Sequence, residues 1–161
     1  MGAAPRGGRP VVRKISIDLT TTFAQGSSTE GRVYLGLGGR EFCCDIDEHA
    51  DFAEGDETTY EFGEDSNVLH PERNDPRQGL PLSLEDVTRQ PVYVRLDPGY
   101  NRRMLSGHVE RDAQDDWNLG SVRVRVLASE GTATFSALDG SSDQIWLGPQ
   151  SGLILHLRRT G

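Results

Sequence analysis

The chain has 161 residues, 35% of them hydrophobic, which suits one modest core rather than several domains. Its 25 acids against 17 bases leave a net charge of −8, a balance that repels duplex nucleic acid. Nineteen Gly and eight Pro favour many turns, and the apolar runs are too short to span a bilayer.

Residues 1–12 read as a flexible Gly/Pro/Arg leader ahead of a single domain over 13–161. Arg6, Arg9, Arg13 and Lys14 put four bases and no acid in the first fourteen residues. The leader lacks the apolar block of a secretory signal, so a cytoplasmic location is expected. VVRKISIDL (11–19) alternates apolar and polar residues as a strand does. TTTFAQGSSTEG (20–31) is a loop of turn formers. Val33, Leu35 and Leu37 then line one face of a strand, Gly38-Gly39 makes a two-residue hairpin turn, and 40–45 is the return strand. Within that return, Cys43 and Cys44 are neighbours. A strand sends adjacent side chains to opposite faces, which predicts two free thiols, one buried and one half exposed. No Cys/His spacing suits zinc.

ETTYEF (57–62) is the next strand. A long loop over 63–81, rich in Pro and Asn/Asp, excludes a regular buried element. SLEDV (83–87) predicts a short helical turn with Ser83 as N-cap and Asp86 three residues on. PVYVRLDP (91–98) is a strand with Val92, Val94 and Leu96 on one face. After a polar hairpin region, Val122, Val124 and Val126 alternate with Arg123 and Arg125, whose side must meet solvent or acids. ATFSAL, QIWLG and GLILHLR close the chain as short strands, the last alternating Leu153, Leu155 and Leu157 with Ile154, His156 and Arg158. Short strands of period two separated by turns predict an all-β fold, an antiparallel β-sandwich or barrel with one apolar face per sheet.

The order of motifs resembles the PLAT (LH2, lipoxygenase homology) domain family over about residues 13–158. The residues that carry it are the Gly26–Gly31 loop leading into Val33-Tyr34-Leu35, then Phe52-Ala53-Glu54-Gly55-Asp56 before Tyr60-Glu61-Phe62. They continue with Asp115-Asp116-Trp117-Asn118-Leu119 into Val122-Arg123-Val124, and a final Ile145-Trp146-Leu147. Glu30 stands where the family has Asp, and the region 80–87 carries an acidic, Pro-rich insertion. The resemblance implies a PLAT-like β-sandwich and a non-catalytic module that associates with a protein partner or a membrane surface.

Residues 41–65 hold eleven acids and no Lys or Arg. Calcium takes six to eight oxygens from carboxylates and loop carbonyls. The resemblance implies a calcium site between the first Gly-rich loop and the Phe52–Asp56 segment. Ser27 and Thr29 would give carbonyls, and Asp51, Glu54 and Asp56 carboxylates, with Asp47 or Glu48 joining. The same acids also serve as a solvated rim. Trp117, beside Asp116, is a candidate for inserting into an interface or stacking on a ligand, and equally for capping the end of the core. No H-E-x-x-H or G-x-S-x-G pattern is present, so a small hydrolase ranks below two other readings. These are a binding module and an assembly subunit that uses strand edges and the 63–81 loop.

Overall fold

The computed structural model describes residues 9–98, 100–101, 110–111 and 115–161. Residues 1–8 of the basic leader, and His108 in the polar hairpin region, lie outside the described residues. Alternation of β-branched and polar residues makes two long strands, β1 (Val12–Thr21) and β8 (Trp117–Ala128), which pair antiparallel over most of their length. Between and around them run β2 (Arg32–Leu37), β3 (Arg40–Cys43), β4 (Glu57–Gly63), α1 (Leu84–Arg89), β5 (Tyr93–Asp97), β6 (Tyr100–Asn101) and β7 (Glu110–Arg111). β9 (Thr132–Ala137), β10 (Ile145–Leu147), β11 (Ile154–His156) and β12 (Arg158–Arg159) follow. One sheet has the order β12-β9-β8-β1-β4, with β10 on the outer side of β8; the other is β11-β5-β2-β3. β6 and β7 form a separate ribbon.

The two sheets stack as a sandwich. Ile15, Ile17, Leu19, Tyr60, Phe62, Val122, Val124, Val126 and Phe135 come from the first sheet. Val33, Leu35, Leu37, Phe42, Val94 and Leu96 come from the second. Each fully buried Val, Leu, Ile or Phe contributes about 1.5–3 kcal/mol of transfer free energy. The polar positions between them meet partners on the outer faces: Arg125 reaches Asp18 at 3.6 Å and Lys14 reaches Glu61 at 2.5 Å. The Arg side of β8 therefore finds both solvent and acid.

Gly38 and Gly39 have φ of +63° and +83°, the conformation a two-residue hairpin turn demands. On the outer face of the second sheet Gly36 faces Tyr93 across the strands. A Cβ on Gly36 would lie 2.1 Å from the Tyr93 ring, so the missing side chain lets that ring lie over β2. The Tyr93 hydroxyl donates to Glu41 Oε2 at 2.9 Å, and Arg95 clasps both Glu41 oxygens at 2.8 Å. Ser83 caps α1 in a full capping box with Asp86.

The 63–81 loop has no regular element, but it is not merely draped on the surface: Val68, Asn74, Asp75 and Pro76 are buried. Two asparagines explain why. The Asn67 amide sits on the open side of β4, accepting from Glu61 N at 2.8 Å and donating to Thr59 O at 2.9 Å. Asn74 Oδ1 accepts from Cys43 N at 2.8 Å on the open side of β3, while its Nδ2 donates to Leu69 O and His70 O. Side-chain amides thus take the ladder positions of a missing strand at both edges. Parts of these two edges are thus bonded by the chain's own loop.

Candidate functional site

Two loops share one end of the sandwich, 22–31 between β1 and β2 and 44–56 between β3 and β4. Backbone bonds lay one along the other: Thr21 N donates to Asp56 O at 2.8 Å, Gly55 N to Thr22 O at 2.9 Å and Thr29 N to Phe52 O at 3.3 Å. Phe52 anchors the pair. It is buried at φ +60°, stacks on Tyr60 with ring centroids 5.7 Å apart and meets Trp117 edge-on at 5.2 Å. A bulky residue in the left-handed region is strained, and burial of its ring offsets that strain.

The geometry brings Ser27, Thr29, Asp51 and Asp56 to this end, as the sequence implies, but points their donors inward. Ser27 Oγ donates to Thr22 O at 2.7 Å, and its carbonyl accepts from Asn118 N at 3.0 Å. Thr29 Oγ1 donates to the Asp115 carboxylate at 2.7 and 2.9 Å. Asp51 Oδ1 accepts from the Tyr60 hydroxyl at 2.7 Å and Oδ2 from Ile46 N at 3.2 Å. Asp56 Oδ2 accepts from Thr58 Oγ1 at 2.7 Å. Asp47 and Glu54 are exposed and join no cluster. Among the described residues no group of three or more His, Cys, Asp or Glu side chains is placed to hold a metal ion. Ser27, Thr29, Asp51 and Asp56 are therefore each bonded to other groups of the protein, and the donors named from the sequence do not form a ready calcium cage.

Burial, followed by contact with Asp45, pushes the Asp51 carboxyl above the usual aspartate range, against the opposing pull of Tyr60 and the Ile46 N–H. Beside it is a shallow pocket of about 240 Å³, lined among others by Thr29, Arg32, Cys43, Asp45 and Asp51. Both thiols are free, Cys44 buried and Cys43 half-buried. Burial pushes both upward, and nearby carboxylates add to it, so neither is a ready nucleophile at neutral pH. His49 Nε2 lies 3.0 Å from Thr58 Oγ1. That hydroxyl gives its proton to Asp56, so His49 can only donate to it, the reverse of a base activating a nucleophile.

Trp117 is fully buried and donates from Nε1 to Thr21 Oγ1 at 2.8 Å, so its indole caps the core and offers no ring face to a ligand. Asp116, half-buried, lies against Gly148, where a Cβ would meet its Oδ1 at 1.8 Å. Among the described residues two aromatics reach solvent, Trp146 at 37% and, far more, Phe23, 84% exposed near the start of the first loop. Its ring rests on Gly55, whose φ is +77° and whose Cβ would lie 2.4 Å from the ring. The sequence signal for it was a lone aromatic among Thr, Ala, Gln and Gly.

No family model matches the sequence, and no curated protein matches it. Solved structures do match in fold. The alpha toxin from Clostridium absonum is 16% identical with a TM-score of 0.53, over 96% of this chain and 33% of the toxin. A lipoxygenase structure, Delta413-417:GS I805W LOX, is 12% identical with a TM-score of 0.50, over 91% of this chain and 16% of the enzyme. The chain thus spans about a third and a sixth of these proteins. At such identities the likeness shows the fold, an antiparallel β-sandwich of the PLAT/LH2 type.

Proposed function

We propose that this chain is a non-catalytic module that attaches to a membrane surface through the loop end led by Phe23. The observation that carries the reading is that ring: 84% exposed, held against Gly55, and set on a loop that Thr22 and Ser27 tie to Asn118 of β8 and that Thr22 and Thr29 tie to the second loop. An aromatic held out on a rigid loop adds its full transfer free energy when it enters an interface. The solved structures that share the fold, an alpha toxin and a lipoxygenase, carry it as a minor part of a longer chain, which suits an attachment role.

Asp47, Glu48 and Glu54 are exposed on the second loop of the same end. That acidic surround favours zwitterionic over anionic lipid. Calcium is not invoked in this reading, because Asp51 and Asp56 already accept hydrogen bonds from Tyr60 and Thr58. Flotation with phosphatidylcholine vesicles tests it. Wild type is expected to co-float, Phe23→Ser to lose about 2 kcal/mol of partitioning, roughly thirtyfold, and added phosphatidylserine to weaken binding. Equal flotation of wild type and F23S, or none by either, rejects the membrane reading and leaves protein association as the role of this end.

A further inference from the structure

We infer that the open edge of β11 is a strand-addition site for an extended, acidic segment of a partner protein. The β11–β5 ladder fixes which peptide groups are open. Leu96 N donates to Leu153 O at 2.9 Å and Leu157 N to Val92 O at 2.8 Å, with Leu155 opposite Val94. The odd-numbered residues therefore bond β5, and the N–H and C=O of Ile154 and His156 point away from it. β11 is the last strand of its sheet, so among the described residues nothing takes these four groups.

The contrast with the other side of the molecule gives this weight. There Asn67 and Asn74 occupy the open sides of β4 and β3. Among the described residues the chain thus guards two of its edges with bonded amides and leaves β11 bare, with Ile154 47% exposed on it. A bare edge with an apolar side chain is the surface that β-augmentation uses, main-chain bonds supplying affinity and side chains selectivity.

The charge selects the occupant. ILHLRR (154–159) contains no acid, on a protein of net charge −8. Arg158 pairs with Asp139, whereas among the described residues the Arg159 guanidinium bonds the carbonyl of Gly161 and no acid. Arg158 and Arg159 follow directly on β11, so carboxylates at that end of an added strand are favoured. A second copy of this chain is disfavoured by its own net charge and by the three-residue length of β11.

The probe is an N-acetylated, C-amidated hexapeptide alternating Val and Glu, titrated into the full chain and followed by amide NMR. The Ile154 and His156 amides are expected to shift and to become protected from exchange. Ile154→Pro removes an N–H that β5 does not use, a change an edge strand tolerates, and is expected to weaken binding at least tenfold. Replacing Glu by Lys in the peptide is expected to weaken it at least threefold. Peptide-induced shifts centred elsewhere, equal binding by wild type and I154P, or no binding overturns the site. Equal binding of the Glu and Lys peptides, or a dimer in sedimentation that I154P abolishes, overturns the acidic occupant. Should I154P fold poorly, the exchange protection of the two wild-type amides decides alone.

Discussion

The Tyr60 hydroxyl donates to Asp51 Oδ1 at 2.7 Å, from a ring that is itself fully buried. This bond turns the central acid of the acidic segment into the protein. Burial raises the Asp51 pKa and pushes the Tyr60 phenol far upward, so Tyr60 stays a donor. A carboxyl whose folded pKa is raised stabilises the fold fully below its unfolded pKa, and that contribution is lost as pH rises through the folded value. Tyr60 opposes the rise, since its bond favours the carboxylate. Tyr60→Phe is therefore expected to cost about 1–2 kcal/mol at pH 7 and clearly less at pH 4. Urea unfolding at both pH values checks it; an equal loss at each contradicts the assignment.

Much of this arrangement was legible in the sequence, and what was not has a physical reason. Alternation placed β1, β2, β5 and β8 and their buried faces, because period two follows directly from backbone geometry. Gly38-Gly39 and the Ser83/Asp86 box were equally local signals. The direction of an acidic side chain in a loop is not local. Asp51 turns inward because Tyr60, nine residues on, presents a hydroxyl there, and Thr29 does so because Asp115 lies beneath it. Asn67 and Asn74 read as turn formers in sequence, and only the sheet edges beside them reveal their role. Phe23 carries no such signal, because nothing in a run of turn formers tells an outward aromatic from an inward one.

The Asn74 bonds predict a measurable role for the 63–81 loop. Asn74→Ala leaves the part-buried Cys43 N–H without its acceptor and frees the Leu69 and His70 carbonyls. A loss of about 2 kcal/mol is expected. Asn67, which is exposed, should cost less than about 1 kcal/mol as Asn67→Ala, but its removal bares the edge of β4. Concentration-dependent association of N67A by sedimentation is the expected signature. A monomeric N67A with unchanged stability argues against the guarding role.

Gly36 and Tyr93 give a third outcome. An added methyl at Gly36 would overlap the Tyr93 ring, so the ring must swing out and release Glu41. Gly36→Ala is expected to destabilise by about 1–3 kcal/mol. Tyr93→Ala in the same chain should remove most of that extra loss, because the overlap is then gone. A double-mutant cycle measures it, and additive losses in the cycle would mean that the two residues do not collide.

Glu41 should show the opposite pH behaviour to Asp51. Its bond to Arg95, helped by Tyr93, holds its carboxyl below the usual glutamate range. A depressed folded pKa stabilises above the unfolded value, and that contribution is lost as pH falls through the lowered one. The pair is about one-third exposed, so Glu41→Gln is expected to cost about 1 kcal/mol or less at pH 7. That difference should shrink on acidification below the ordinary glutamate pKa and vanish only below the lowered one. Wild type and E41Q melted across acidic pH check it, and a constant gap contradicts the ion-pair account.

The inward-turned donors also set an expectation for calcium. A cation binding at the Asp51 and Asp56 carboxylates competes with the bonds they accept from Tyr60, Ile46 N and Thr58, and the Ser27 carbonyl already accepts from Asn118 N. Each lost bond opposes binding by about 1 kcal/mol, against the stabilisation by mass action that a tight folded-state ligand would give. Millimolar calcium is therefore expected to move the melting midpoint no further than magnesium at equal ionic strength. A shift specific to calcium that Asp51→Asn abolishes would mean that the loop end rearranges to bind it, with Tyr60 released from Asp51.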